Sequence, residues 1–176
     1  MNLSDTRAII TGGVSGLGFA IAQHIVAHRG KVALFDINSL KAAEAITLLG
    51  AANAVYLSTD VSDEMQVAEN TAKAAEFMGG LNAAINCAGI IGAGRVLGRE
   101  ACMPLAQFSN TIRVNLIGSF NIAKAAADVM QHNSSGEDGE RGVEQQLRRR
   151  RPQRRRRRRG EESGGGRQPL DLDRGS

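Results

Sequence analysis

Aromatic residues are scarce in this chain of 176 residues: 3%, with five phenylalanines, one tyrosine and no tryptophan. Cysteine is scarce too. Cys87 and Cys102 are the only two, and neither their number nor their spacing suits a disulfide framework or a zinc site. A reducing compartment follows as the expectation: cytoplasm, or the mitochondrial matrix if the source is eukaryotic. The opening MNLSDTRAII has no basic stretch leading into an apolar one, so no secretory signal is visible. It also lacks the arginine-rich amphipathic character of a transit peptide. No apolar run approaches the roughly 18 residues that span a bilayer, so no membrane partner is expected. Internal repeats are absent.

Charge is unevenly spread. Residues 1–143 hold ten Lys/Arg against thirteen Asp/Glu, a net of −3, whereas residues 144–176 hold twelve Arg against five acids, a net of +7. The sequence pI of about 9.6 therefore belongs to the last fifth of the chain.

What is present is an alternation of strand and helix patterns. RAIIT (residues 7–11) is a short apolar run that stops at glycines, and residues 16–28 carry Leu17, Ala20, Ile21 and Ile25 at helical spacing, with Gly30 as a stop. KVALFD (31–36), NAVYLSTD (53–60) and LNAAINCAG (81–89) read as further strands. The stretches after the first two read as helices, the second capped by Ser62 or Asp63; after the third, Pro104 opens a long helical pattern to Met130, mildly interrupted at Gly118. Four such units predict an α/β fold, the N-terminal part of a Rossmann-type, doubly wound parallel sheet with right-handed crossovers. Beyond Val143 no strand or helix pattern is apparent, and residues 144–176 read as a disordered basic tail. The expected division is a dinucleotide-binding part over 1–143 and this tail, with the fourth strand left as a sheet edge.

The segment TGGVSGLG lies between the first strand and the first helix. Glycines at 12, 16 and 18 suit a tight turn and close approach of a pyrophosphate to the backbone, while the helix N-terminus offers free N–H groups. Ser15 adds a hydroxyl. A glycine-rich turn also has ordinary structural uses, so position matters. Asp36 ends the second strand 18 residues beyond Gly18. A carboxylate there accepts from adenosine ribose hydroxyls and repels a 2′-phosphate, which selects NAD over NADP; the competing role is a helix N-cap. Asp60 and Val61 close the third strand where an adenine would lie, with an N-cap again the competing role for Asp60. Asn86, Cys87, Ala88 and Gly89 close the fourth, small enough to leave room for a ribose, and Cys87 reads as a small buried residue.

In this order, TGGVSGLG, Asp36, Asp60-Val61, NCAG at 86–89 and Val114-Asn115 resemble the short-chain dehydrogenase/reductase family over residues 1–143. Within it, ITGGVSGLG, NCAGI, RVNLIGSFNIAKAAADVM and GEDGERGV are most similar to the type 2 3-hydroxyacyl-CoA dehydrogenases, the group resembling mitochondrial 17β-hydroxysteroid dehydrogenase. The resemblance implies hydride transfer between NAD and the secondary hydroxyl of a 3-hydroxyacyl-CoA or similar alcohol, a homo-oligomer, and contacts to NAD from Ser15, Leu17, Asp36, Asp60, Val61 and Cys87. It also implies a tyrosine base tuned by a lysine four residues on, a serine on the preceding strand and an asparagine on the long helix. Asn115 matches that asparagine; a polar residue bonding backbone is its plainer role. The other three have no counterpart. Tyr56, the one tyrosine, is followed four residues later by Asp60; the last lysine is Lys124; Ser163 sits between a glutamate pair and three glycines. The resemblance thus implies a cofactor-binding half that is inactive by itself.

It stops where GVEQQLRRRRPQRRRRRRG begins, with ten arginines in 19 residues. Such a run attracts phosphate nonspecifically, and without interleaved aromatics it cannot stack on bases. A targeting signal is a second reading. A shifted frame is the third and favoured one: repeated GCC alanine codons read two bases along give CGC, an arginine codon.

Overall fold

The computed structural model describes residues 2–92, 94–99, 101–136 and 139–146. The arginine run, and with it the expected disorder from residue 147 onward, lies outside the described residues.

Five strands form one parallel sheet in the order β3-β2-β1-β4-β5: β1 (Arg7–Thr11), β2 (Lys31–Asp36), β3 (Ala54–Ser58), β4 (Ala83–Asn86) and β5 (Val143–Gln146). Helices α1 (Gly16–Ala27), α2 (Ala42–Leu49), α3 (Glu64–Met78), α4 (Leu105–Ile112) and α5 (Gly118–Met130) complete the α/β, Rossmann-type layout that the alternation predicts. β1 and β2 are apolar without interruption because both faces of the sheet are covered. Ala8, Ile10, Val32 and Leu34 pack with Ala22 and Ile25 of α1 and with Ala45 and Leu49 of α2. Ile9, Ala33 and Phe35 point to the other face, against Val67 and Ala74 of α3 and Ile122 and Ala126 of α5. Alternate strand residues thus feed two thin cores built mostly from aliphatics and alanine. Every buried side-chain polar atom among the described residues has a hydrogen-bond partner.

Three expectations are corrected. The strand pattern does not end at Val143: Val143–Gln146 pair in parallel with Ala83–Asn86, so β4 is an interior strand and, among the described residues, β5 is the edge on that side. No periodicity announced β5 because its residues are mostly exposed, and an edge strand is held by its backbone ladder and does not need an apolar face. The long helix is not uniform: Arg113–Ile117 form a π-helical turn between α4 and α5. Finally, α1 ends in a Schellman arrangement in which Arg29, at φ 70°, takes the left-handed seat, with Arg29 N–H donating to the Val26 carbonyl and Gly30 N–H to that of Ile25. Gly30 serves packing instead, since a Cβ there would lie 2.5 Å from Ile25 Cγ2 and 2.8 Å from the Leu3 carbonyl oxygen.

Gly118 follows the π-turn and faces Val61: a Cβ at 118 would lie 2.5 Å from Val61 Cγ2 and 3.1 Å from its Cβ. Glycine to alanine within a helix ordinarily gains about 1 kcal/mol, but forcing a methyl into packed side chains costs about 1–3 kcal/mol. The clash wins here. Gly118→Ala is expected to lower stability by roughly 1 kcal/mol, read as a reduced midpoint in urea at unchanged slope.

Candidate functional site

All strands run the same way, so Thr11, Asp36, Ser58 and Asn86 line up along one rim of the sheet. From β1 the chain passes to β2 on one side, while β4 lies on the other, and this change of direction opens a crevice beyond the strand ends, where ligands of such sheets bind. The residues singled out in the sequence gather on this rim.

The glycine loop is shaped by two close approaches and one open space. Gly12 has φ 63°, and a Cβ there would lie 3.1 Å from the Ala88 amide nitrogen. Gly18 lets the first turn of α1 rest on the loop itself, for its Cβ would stand 2.4 Å from the Gly12 carbonyl oxygen. Gly16 also needs a positive φ, 56°, yet nothing lies within 4 Å of where its Cβ would be. Packing therefore explains Gly12 and Gly18, whereas Gly16 borders solvent. Beside it, Ser15 is the N-cap of α1 but caps nothing with its side chain, and Ser15, Gly16 and Leu17 are all exposed. The helix presents free N–H groups, an uncommitted hydroxyl and the positive end of its dipole to an open space, the local chemistry of an anion site.

Asp36 closes β2 with its carboxylate turned to this loop. Oδ2 accepts from Val14 N–H at 3.4 Å and Oδ1 from Asn38 N–H at 3.0 Å. It does not cap the helical segment that follows, a 3₁₀ turn whose N-cap is Asn38. The Tyr56 hydroxyl donates to the Asp36 carbonyl oxygen at 2.9 Å, so the one tyrosine of the chain braces the strand end.

Asp60 is likewise no cap; that role belongs to Asp63, which accepts from Gln66 N–H at 3.0 Å. Asp60 Oδ1 instead accepts from the backbone and hydroxyl of Ser62, at 2.9 and 2.7 Å, and Arg113 Nη1 stands 4.0 Å from Oδ2. The Ser62 hydroxyl, above all, holds the Asp60 carboxyl below its ordinary range, against a partial burial that acts upward; the Ser62 N–H and the Arg113 charge add to the lowering. A carboxyl lowered in the folded state stabilises the fold above its ordinary pKa, and that contribution disappears as pH falls through the folded value. Ser62→Ala is accordingly expected to raise the Asp60 pKa towards its ordinary value, followed by carboxyl carbon shifts in an NMR titration, and to make the loss of stability towards acid shallower while lowering stability near neutral pH. Val61 is buried, and its carbonyl accepts from the buried Asn121 amide at 3.0 Å.

The fourth strand end is fixed by Thr11. Its hydroxyl is fully buried, accepts from Cys87 N–H at 3.0 Å and Ala88 N–H at 2.9 Å, and lies 3.4 Å from Asn86 Oδ1. Asn86 is buried and donates to Glu144 of β5 at 2.9 Å. Cys87 is half-buried, and burial pushes its thiol above its ordinary value, which keeps it protonated and unreactive. Gly89 is exposed, 3.3 Å by its would-be Cβ from Asn115 Oδ1. Asn115, in the π-turn, grips the backbone of Ile90 with both ends of its amide: Ile90 N–H donates to Oδ1 at 2.8 Å and Nδ2 donates to the Ile90 carbonyl at 2.9 Å. It anchors the segment after β4 to the long helix, and π-turns of this kind are frequent at functional sites.

A family description, short chain dehydrogenase, matches residues 6–137. The chain belongs to the short chain dehydrogenase family. Among its relatives, 3-hydroxyacyl-CoA dehydrogenase type-2 of Rattus norvegicus is 37% identical over 139 residues, covering 77% of this chain and 52% of the relative. The protein of that name in Homo sapiens gives the same identity and shares. The crystal structure of 3-hydroxyacyl-CoA dehydrogenase type-2 from Mycobacterium avium superposes with a TM-score of 0.74 at 28% identity, over 80% of this chain and 56% of that one. The chain spans about half the length of the curated relatives it matches. The resemblance read from the sequence is thus borne out at the level of an oxidoreductase family. Within it, this short-chain dehydrogenase shows two residues that sequence reasoning passed over, Thr11 and Asn121; their partners lie 60–77 positions away, beyond any local signal. A concavity of about 650 Å³ lies at the opposite end of the strands, between Arg7, Asn82 and Arg141. We place the site at the strand C-termini nonetheless, because there the open space meets free helix N–H groups and a fixed carboxylate. No helix among the described residues is long and apolar enough to cross a membrane.

Proposed function

We propose that residues 1–143 are the dinucleotide-holding part of an NAD-dependent dehydrogenase that acts on the secondary hydroxyl of a 3-hydroxyacyl-CoA or similar alcohol. One observation carries the cofactor assignment: the Asp36 carboxylate is held at the end of β2, facing the glycine loop, by Val14 and Asn38 N–H groups. Ser15, Gly16, Leu17 and the first turn of α1 take the pyrophosphate; Asp36 takes the adenosine ribose and opposes a 2′-phosphate. Asp60 and Val61 border the adenine, and Asn86, Cys87, Ala88 and Gly89, fixed by Thr11, border the second ribose. When bound, NAD supplies a nicotinamide ring that accepts hydride. The acyl-CoA assignment rests on the printed names of the relatives.

A polypeptide of this sequence holds the dinucleotide without turning it over. Tyr56 is committed to the Asp36 carbonyl, and Lys124 pairs with Glu64, so neither is a base beside a lysine. Asn115 is a positioning residue through its clasp on Ile90. Leu105, Phe108, Ile112, Leu116 and Phe120 are exposed along α4, the π-turn and α5, which supports a homo-oligomer covering that stripe.

The test is a pair of binding titrations. The chain binds NAD+ more tightly than NADP+, and Asp36→Ala reduces that preference by about tenfold, worth about 1.4 kcal/mol. Equal binding of the two dinucleotides by the unaltered chain would contradict the assignment. No NADH should form on adding a 3-hydroxyacyl-CoA.

A further inference from the structure

From the exposed face of α1 we infer a two-point binding site for a divalent transition-metal ion, made by His24 and His28. The two residues are four apart, one helical turn, and both are exposed. Their ring centroids are 4.5 Å apart with the planes inclined at 51°. Two imidazoles at this spacing on one helix face can share a single ion. His28 Nδ1 lies 2.8 Å from the His24 carbonyl oxygen. A carbonyl only accepts, so Nδ1 carries the proton, and in the neutral ring the lone pair is left on Nε2. Such a backbone hydrogen bond fixes tautomer and ring orientation in metal-ligating histidines.

The position favours a cation. His28 is the C-cap of α1, where the negative end of the helix dipole lies. Imidazole pairs suit zinc, nickel and copper over magnesium or calcium. Among the described residues no three or more His, Cys, Asp or Glu side chains are grouped so as to hold an ion, so the site offers two protein ligands and leaves the remaining positions to water. It is remote from the rim at the other end of α1 and independent of the dinucleotide assignment.

Titration of Ni²⁺ into the full chain by calorimetry tests this. One ion binds per chain. His24→Gln or His28→Gln weakens binding about 100-fold by removing the chelate, while His132→Gln leaves it unchanged. On the unaltered chain, sub-stoichiometric Cu²⁺ broadens the ring proton signals of His24 and His28 and spares those of His132. Ni²⁺ affinity undiminished in the His24→Gln/His28→Gln double variant, or equal Cu²⁺ broadening of all three histidines, overturns the proposal.

Discussion

Gly18→Ala is expected to abolish dinucleotide binding and to lower the melting temperature by roughly 5–10 °C, whereas Gly16→Ala should keep the fold and lose binding alone. The contrast comes from what surrounds each position. A methyl at 18 meets backbone: the Gly12 carbonyl oxygen at 2.4 Å and its carbon at 2.9 Å. These atoms belong to the loop and cannot swing aside as a side chain would. The helix-propensity gain of about 1 kcal/mol is outweighed, and a net loss of about 2 kcal/mol follows. At 16 a methyl meets nothing within 4 Å, so the cost is the left-handed backbone at φ 56°, about 1 kcal/mol. That methyl projects into the space where N–H groups of α1 face outward. Thermal unfolding and NAD+ titration on both variants separate the outcomes. If Gly16→Ala bound NAD+ as well as the unaltered chain, the loop would be a packing device and not an anion cradle.

The second large effect is expected from Thr11→Val. Valine has the right shape but no acceptor, and the Cys87 and Ala88 N–H groups both depend on the Thr11 hydroxyl. Leaving a buried donor unpaired costs about 1–3 kcal/mol, so two cost about 2–4 kcal/mol. The added methyl recovers only part of that. Thr11→Ser keeps the hydroxyl and should lose about 1 kcal/mol, the worth of one buried methyl. Chemical denaturation gives the stabilities, and hydrogen exchange at the Cys87 and Ala88 amides, fast in the valine variant and slow in the serine one, localises the damage. Equal stability of the two variants would remove Thr11 from the account.

Much of this was legible in the sequence, for reasons that are local. β1 and β2 are uninterrupted apolar runs, and the spacing in α1 gives its buried face. Asp36 was recognised by its distance from the glycines, and the structure separates it from the N-cap alternative by giving that cap to Asn38. Long-range effects were not legible. Gly30 looks like a helix stop, yet Arg29 takes the left-handed seat, because only the packing of Leu3 and Ile25 shows that position 30 has no room for a Cβ. β5 has no apolar pattern because its partner, β4, supplies the ladder. The π-turn that presents Asn115 leaves no trace in the apolar spacing, and the Arg113–Ser62–Asp60 network joins residues about 50 positions apart.

The rim at the strand C-termini is proposed to hold NAD through the glycine loop and Asp36. Amide chemical shifts of the full chain during an NAD+ titration test this most directly. Saturable changes are expected at Ser15–Gly18, Asp36–Asn38, Asp60–Val61 and Cys87–Gly89, with Arg7, Asn82 and Arg141 unmoved. A well-dispersed spectrum that does not change, or changes confined to the concavity around Arg7 and Arg141, would contradict it.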